Sequence, residues 1–308
     1  MSQNVIPGSG GTDAYDINGR KAAEAQPVIP LGQKSYEDSQ PRIGFFTDTT
    51  VCIGCKACEV ACKEWNDVPA LPFELTGNSY DNTGALGANS WRHVAFIEQR
   101  KPIRVQDSGL EALGMPPSED EDEFRWLMSS DVCKHCTNAP CLDVCPTGSL
   151  FRTEFGTVVV QEDICNGCGY CVPACPFGVL DQREDDGRVW KCTLCYDRTK
   201  DGLEPACAQA CPTNSIQYGP LDELREKANG RLEMLVEAGV TDARLYGADE
   251  EGYGMGAFFL LLDDPEVYGM PPDPEVVTRK FASLWGPAAA AAGAMALGIA
   301  AAFIGGAR

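Results

Sequence analysis

Basic residues and histidines are scarce in this chain of 308 residues. Only 25 Lys and Arg oppose 45 Asp and Glu, which gives a formal charge of −20, and there are two histidines. So acidic a chain has little with which to neutralise phosphates, and we expect no nucleic-acid partner. The sequence also lacks a nucleotide-binding glycine loop and a Ser/His/Asp set. These absences predict a chain that performs no catalysis itself.

Cysteine, by contrast, is abundant. The 16 cysteines fall into four groups of four, and the last three groups are each followed by proline. Groups one and three have the spacing C-x2-C-x2-C-x3-C, which is typical of bacterial ferredoxins. The groups are Cys52, Cys55, Cys58 and Cys62; then Cys133, Cys136, Cys141 and Cys145; then Cys165, Cys168, Cys171 and Cys175; and finally Cys192, Cys195, Cys207 and Cys211.

Three kinds of chemistry use this many cysteines: disulfides, zinc and iron–sulfur clusters. Disulfide frameworks suit short secreted domains, and structural zinc usually takes two separated C-x2-C pairs. A triplet at C-x2-C-x2-C spacing brings three thiolates into one turn, which suits a cubane. The sequence therefore predicts four [4Fe–4S] clusters held by all 16 cysteines.

The fourth cysteine of a ferredoxin run ligates the partner cluster of a pair, and chain order pairs groups two and three. We expect this fourth cysteine at the start of a helix and the closing prolines in a first helical turn. Groups one and four then form the outer pair. The predicted ligand sets are Cys52, Cys55, Cys58 with Cys211; Cys192, Cys195, Cys207 with Cys62; Cys133, Cys136, Cys141 with Cys175; and Cys165, Cys168, Cys171 with Cys145.

The chain resembles the iron–sulfur (beta) subunit of membrane-bound respiratory formate dehydrogenase, within the four-cluster subunits of molybdopterin oxidoreductases. The similarity extends from about Phe46 to the C-terminus. The segments that carry it are Thr50–Cys58 running into Glu64–Asp67, Cys165–Cys171, Val189–Arg198 and Asp263–Pro272. The resemblance implies the same cluster partition and an α+β fold of tandem ferredoxin-like [4Fe–4S] dicluster modules with a C-terminal transmembrane helix.

The resemblance also implies a function in anaerobic respiration. Electrons from formate oxidation at a Mo- or W-pterin catalytic alpha subunit would pass through the four clusters toward a membrane cytochrome b gamma subunit and quinone. One alternative is the beta subunit of another molybdopterin oxidoreductase, of the dimethyl sulfoxide, polysulfide or thiosulfate reductase type. Another is a zinc-bound structural or interaction protein.

The chain divides into four predicted parts. Residues 1–43 form an extended N-terminal arm without periodicity, and 44–220 form the four-cluster domain, with the inner dicluster insertion at 131–178. Residues 221–280 form a segment that covers this domain, and 284–307 form a transmembrane helix.

Local patterns predict several elements within these parts. Strands are expected at Trp91–Ile97, Val158–Val160 and Phe258–Leu262. A helix is expected to begin at Pro220, with Leu221, Leu224 and Ala228 on one face, and to be interrupted at Asn229–Gly230.

No residue from Leu284 to Ala307 is charged. As a helix, this segment is long enough to cross a ~30 Å hydrocarbon layer. The alternative is a buried Ala-rich helix of a soluble protein. The N-terminal sequence shows no signal peptide pattern. The resemblance implies export with a signal-bearing catalytic partner, which leaves the cluster domain on the outer side of the membrane; a cytoplasm-facing complex is the alternative.

The two histidines have different expected roles. His135 lies between Cys133 and Cys136, where it either packs as a neighbour, the interpretation we favour, or tunes a cluster by hydrogen bonding. His93 is expected to be structural.

Overall fold

The computed structural model describes residues 41–72, 77–78, 80–100, 124–249, 253–276, 278 and 281–305. Almost all of the expected N-terminal arm at 1–43 lies outside these residues. The strands are β1 (Ile43–Asp48), β2 (Arg92–Arg100), β3 (Phe124–Val132), β4 (Leu150–Arg152), β5 (Val158–Val160), β6 (Asp181–Gln182), β7 (Val189–Trp190), β8 (Ile216–Pro220), β9 (Arg244–Tyr246) and β10 (Ala257–Leu261). The helices are α1 (Ala57–Asn66), α2 (Pro140–Asp143), α3 (Cys171–Ala174), α4 (Tyr196–Lys200), α5 (Ala206–Gln209), α6 (Leu221–Glu237) and α7 (Phe281–Gly305).

A four-stranded sheet in the order β8-β1-β10-β9 joins distant parts of the chain. β1 runs parallel to β10 and antiparallel to β8, and β9 is antiparallel to β10. Side chains alternate across a strand, so Phe45 packs among the cysteine-bearing loops while Phe46 stacks on Phe258 beneath α6. This sheet therefore separates the cysteine region from the covering helix.

The other described strands form hairpins near the cysteines. β2 and β3 make a long antiparallel hairpin, whereas β4–β5 and β6–β7 are short hairpins that follow cysteine groups two and three. The same order, a cysteine run and then a short hairpin, thus occurs twice between 133 and 190. Strands and helices together form an α+β fold, as the sequence predicted.

The strands expected at 91–97, 158–160 and 258–262 are observed as β2, β5 and β10, with ends that differ by up to three residues. Helix α6 follows Pro220 and buries Leu221, Leu224 and Ala228 as expected. The expected interruption at Asn229–Gly230 was wrong, because α6 continues to Glu237. Glycine costs an exposed helix only about 1 kcal/mol, and α6 continues to pack apolar side chains beyond it.

The segment at 221–280 does more than cover the cysteine region. Its strand β10 is buried at every residue and lies in the centre of the sheet beside β1. The final helix, α7, has 25 residues and is exposed wherever its side chains are described. Its stretch Trp285–Phe303 is long and apolar enough to cross a membrane.

Candidate metal centres

The first Cys-x-x-Cys loop of each group adopts the same backbone turn. The residue before the second cysteine has a positive φ in all four groups: Gly54 at 65°, His135 at 42°, Gly167 at 69° and Leu194 at 57°. Two of these residues are not glycine, and a left-handed conformation costs such residues about 1–2 kcal/mol. This repeated strain is typical of loops that fold tightly around a ligand.

The fourth cysteines lie in a second recurring structure. Cys145, Cys175 and Cys211 each accept a backbone hydrogen bond from the residue three positions later, at 3.4, 3.4 and 3.3 Å. The following proline thus occupies the second position of a tight turn, which its fixed φ favours. Our expectation that these prolines open a helix was wrong.

The expected position of the fourth cysteine at a helix start was also wrong. Cys62 lies inside α1, while the other three follow the short helices α2, α3 and α5. In α1 the helix brings Cys58 and Cys62, four residues apart, to one side. Both are buried.

The structure brings the cysteines together in four sets, which we name by their place in space. In three of them the four cysteines line one cavity, and in the fourth Cys192, Cys207 and Cys195 lie near enough to Cys62 to help raise the pKa of its thiol. Set A is Cys52, Cys55, Cys58 and Cys211; set B is Cys62, Cys192, Cys195 and Cys207; set C is Cys133, Cys136, Cys141 and Cys175; and set D is Cys145, Cys165, Cys168 and Cys171. These groupings coincide with the predicted ligand sets.

The sulfur arrangement fits a group larger than a single ion. All 16 cysteines are unbridged, so the disulfide interpretation does not describe this chain. Among the described residues, no three His, Cys, Asp or Glu side chains converge on one metal-ion position. Four thiols that line one cavity, as in sets A, C and D, suit a cubane cluster instead.

Burial gives most of these thiols an unfavourable environment for a free thiolate. Desolvation raises the pKa of Cys58 and Cys171 to about 11 and that of Cys141 and Cys192 to about 12. The pKa of Cys145 is lowered instead: burial raises it, but hydrogen bonds from the Leu150 backbone and from Thr147 outweigh that effect. Because a buried thiolate needs a nearby positive charge, the chemistry of these sets fits an iron-bearing group.

Electrostatic contacts between cysteines show which sets are neighbours. Cys207 of set B acts on Cys58 of set A, and Cys133 of set C acts on Cys192 of set B. Cys171 of set D acts on Cys141 of set C. The order is therefore A–B–C–D.

The two ends of this line reach the surface. Cys55 of set A and Cys168 of set D are exposed, whereas every cysteine of set B is buried. The exposed side chains of Ile53 and Tyr170 flank these two cysteines. A line of four sites that is open at both ends is an arrangement for conduction between two surfaces.

The histidines are packed side chains. His93 Nε2 lies 2.8 Å from Asp81 Oδ2, in agreement with a structural role. His135 is 1% exposed, and its Nδ1 accepts a hydrogen bond from the Val158 backbone at 3.2 Å. Burial first, and then the nearby Lys191 and Arg42, hold the pKa of His135 well below its usual range, so its ring is neutral.

The most deeply buried Lys and Arg side chains, Arg92, Lys134 and Lys191, were not predicted from the sequence. Both lysines adjoin a cysteine, Lys134 after Cys133 and Lys191 before Cys192, which is a signal that sequence offers. For Arg92, which lies on β2 far from any cysteine in the chain, no local pattern exists.

Comparisons with known proteins agree with this geometry. Two family models, each described as a 4Fe–4S dicluster domain, match residues 51–149 and 124–221. Together with the 16 cysteines they give this chain four [4Fe–4S] clusters as its cofactors.

The similar curated proteins include subunits of formate dehydrogenases and of a dimethyl sulfoxide reductase. The nitrate-inducible formate dehydrogenase iron–sulfur subunit of Escherichia coli K12 is 37% identical over 277 residues, covering 89% of this chain and 85% of that protein. The formate dehydrogenase iron–sulfur subunit of Haemophilus influenzae is 37% identical, covering 83% and 79%. The B subunit of the Escherichia coli K12 anaerobic dimethyl sulfoxide reductase is 36% identical but covers only 60% of this chain and 76% of its own length. With most of its length matched at this identity, the chain belongs to the family of formate dehydrogenase iron–sulfur subunits.

Proposed function

We propose that this chain is the electron-transfer subunit of a formate dehydrogenase complex. It connects formate oxidation at a Mo- or W-pterin catalytic subunit with a membrane cytochrome b and quinone. The observation that carries the proposal is the line of four cysteine sets with an exposed cysteine at each end. The greater share of this chain that the formate dehydrogenase subunits cover supports formate over a sulfoxide as the substrate of the complex.

We assign one cluster to each set, with Cys62, Cys145, Cys175 and Cys211 as the ligands exchanged between neighbouring cysteine groups. When bound, each cluster supplies a one-electron carrier. The protein holds the clusters on strained loops, excludes water from set B and leaves sets A and D accessible to partners. Water exclusion and hydrogen bonds to sulfur adjust reduction potential, so these features are part of the function.

The exchange of ligands has a direct test. Cys175 is the last cysteine of group three by sequence but lies in set C. In the anaerobically purified complex, Cys175→Ser is expected to change the same electron paramagnetic resonance signal as Cys136→Ser. If it changes the signal that Cys168→Ser affects instead, the assignment is wrong.

We further propose that α7 crosses the membrane once and that the cluster domain faces the outer side. A helix of 25 residues is about 37 Å long, enough for a ~30 Å hydrocarbon layer. Its large side chains, such as Leu297 and Phe303, are exposed in the described part of the chain, and lipid or other membrane helices would cover them.

Membrane anchoring is tested by placing a charge in this helix. Leu297→Lys adds about 2.5–3.5 kcal/mol to the insertion free energy and is expected to release part of the complex from alkali-washed membranes. Leu203→Lys, at an exposed position outside α7, is the control and should release none. Protease treatment of intact cells and of inverted vesicles then reports the side: cleavage of the cluster domain only in inverted vesicles would refute the outer location.

The function itself is tested on the native complex, purified without oxygen. We expect formate-dependent reduction of a quinone analogue, together with about 16 iron atoms in this subunit, four for each of four clusters. Iron without formate activity would support the electron-transfer role but refute formate as the substrate, and a sulfoxide or sulfur-compound reductase would then be the complex to test. Zinc in place of iron would refute the proposal.

A further inference from the structure

Two of the three most deeply buried Lys and Arg side chains lack a carboxylate partner. Arg92, Lys134 and Lys191 are 2%, 1% and 1% exposed. Lys134 forms an ion pair with Asp131. Within the described part of the chain, neither Arg92 nor Lys191 forms an ion pair with an acidic residue. Removing a cation from water without a counter-ion is strongly unfavourable, so these two positions require negative charge from another source.

Arg92 lies where set A meets set B. Its Nη2 donates a hydrogen bond to Cys207 Sγ of set B at 3.2 Å, and its Nη1 donates to the Ser130 carbonyl at 3.2 Å. Ser130 Oγ in turn lies 3.3 Å from Cys58 Sγ of set A. The buried Nε of Arg92 has no hydrogen-bond partner among the described residues. Arg92 thus contacts one set directly and the other through a single side chain.

Lys191 lies where set B meets set C. Its Nζ donates hydrogen bonds to the carbonyls of Val158 and of Cys192, the latter at 2.8 Å. Cys192 belongs to set B, and Lys191 itself lines the cavity of set C. Its two acceptors are neutral carbonyls, which leave the charge of the ammonium uncompensated.

We propose that Arg92 and Lys191 are the counter-ions of the clusters on either side of them and that they raise the reduction potential of the set B cluster. This inference rests on the proposed cluster assignment. A [4Fe–4S] cluster held by four thiolates is an anion, and reduction adds one more negative charge. A fixed cation nearby in a region of low dielectric constant favours the reduced form. Set B alone borders both cations, so its potential responds to either one.

The test is a reductive titration of the anaerobically purified complex, followed by electron paramagnetic resonance. The neutral variants are Arg92→Gln and Lys191→Met, the charge-keeping controls are Arg92→Lys and Lys191→Arg, and Arg225→Met on α6 is a remote control. At a fixed potential, we expect each neutral variant to lower the reduced-to-oxidised ratio of the set B cluster about tenfold, which is about 59 mV for one electron. The charge-keeping and remote variants should stay close to the native titration.

The signals also separate the two residues. Arg92→Gln should shift the clusters of sets A and B and leave set D unchanged, whereas Lys191→Met should shift those of sets B and C. Native titrations in both neutral variants would overturn the proposal. Loss of iron from both neutral variants but from neither charge-keeping variant would support it, since a counter-ion is then needed for cluster retention. Loss from all four variants would assign the residues to packing and overturn it. If the native complex itself lacks clusters, the proposed function fails as well.

Discussion

The loop around set A leaves no room for a side chain at Gly54, and this predicts the effect of Gly54→Ala. A Cβ atom there would lie 2.6 Å from Cε1 of Phe96 and 2.7 Å from Sδ of Met128, and the residue has φ +65°. The left-handed backbone costs alanine about 1–2 kcal/mol, and overpacking costs about 1–3 kcal/mol. We therefore expect Gly54→Ala to lower the free energy of unfolding by about 2–5 kcal/mol in total. Part of this cost comes from displacing the β2–β3 hairpin, which carries Phe96 and Met128.

Gly148 provides a matched control, because it has φ +68° in the turn after Cys145 but no atom within 4 Å of its would-be Cβ. Gly148→Ala should cost only the backbone component of about 1–2 kcal/mol. The assay is the apparent melting temperature of the complex at a fixed scan rate, with cluster absorbance followed in parallel. Gly54→Ala should melt lower than Gly148→Ala and lose iron first. Equal melting temperatures and equal iron contents would refute the argument from close packing.

Two further substitutions test contacts away from the cavities. Glu59 in α1 accepts hydrogen bonds from the Val94 backbone and the Thr83 hydroxyl. In thermal unfolding, Glu59→Ala should therefore lower the free energy of unfolding by about 1–3 kcal/mol, and Glu59→Gln by less, because its amide oxygen still accepts one bond. Equal losses in the two variants would contradict this account. Burial and the Glu154 carboxylate raise the pKa of Tyr196 from 10 to about 12, which means that the folded chain keeps this proton where the unfolded chain loses it. The stabilisation that the Tyr196 hydroxyl provides is therefore complete below pH 10 and disappears toward pH 12. The difference in melting temperature between the native chain and Tyr196→Phe should shrink between these two pH values. A constant difference would contradict the raised pKa of Tyr196.

The cysteine spacing was sufficient to predict which cysteines lie together, because short loops restrict where their thiols can converge and the fourth-cysteine rule then fixes the remaining pairings. Ligation of iron by each set stays a prediction. Local rules failed where two structures compete for the same residues. The fixed φ of Pro146 suits the second position of a tight turn as well as a first helical turn. Gly230 destabilises α6 by less than the packing of this helix stabilises it. Arg92 illustrates a different limit: its burial beside Cys207, 115 positions away, is a consequence of tertiary structure that no local pattern encodes.

The nesting of one cysteine pair inside the other has a consequence for biogenesis. Sets C and D lie entirely within residues 133–175, whereas set A joins Cys58 to Cys211. The central sheet cannot form until β10, which pairs with β1, has been synthesised. As the chain leaves the ribosome, the inner pair can therefore be complete while the outer pair still lacks ligands. Closing the longer loop, 153 rather than 42 residues, costs only about 1 kcal/mol more in chain entropy. Timing more than energy thus distinguishes the two pairs, and an oxidising or iron-poor moment late in synthesis would leave chains that hold the inner clusters and miss the outer ones.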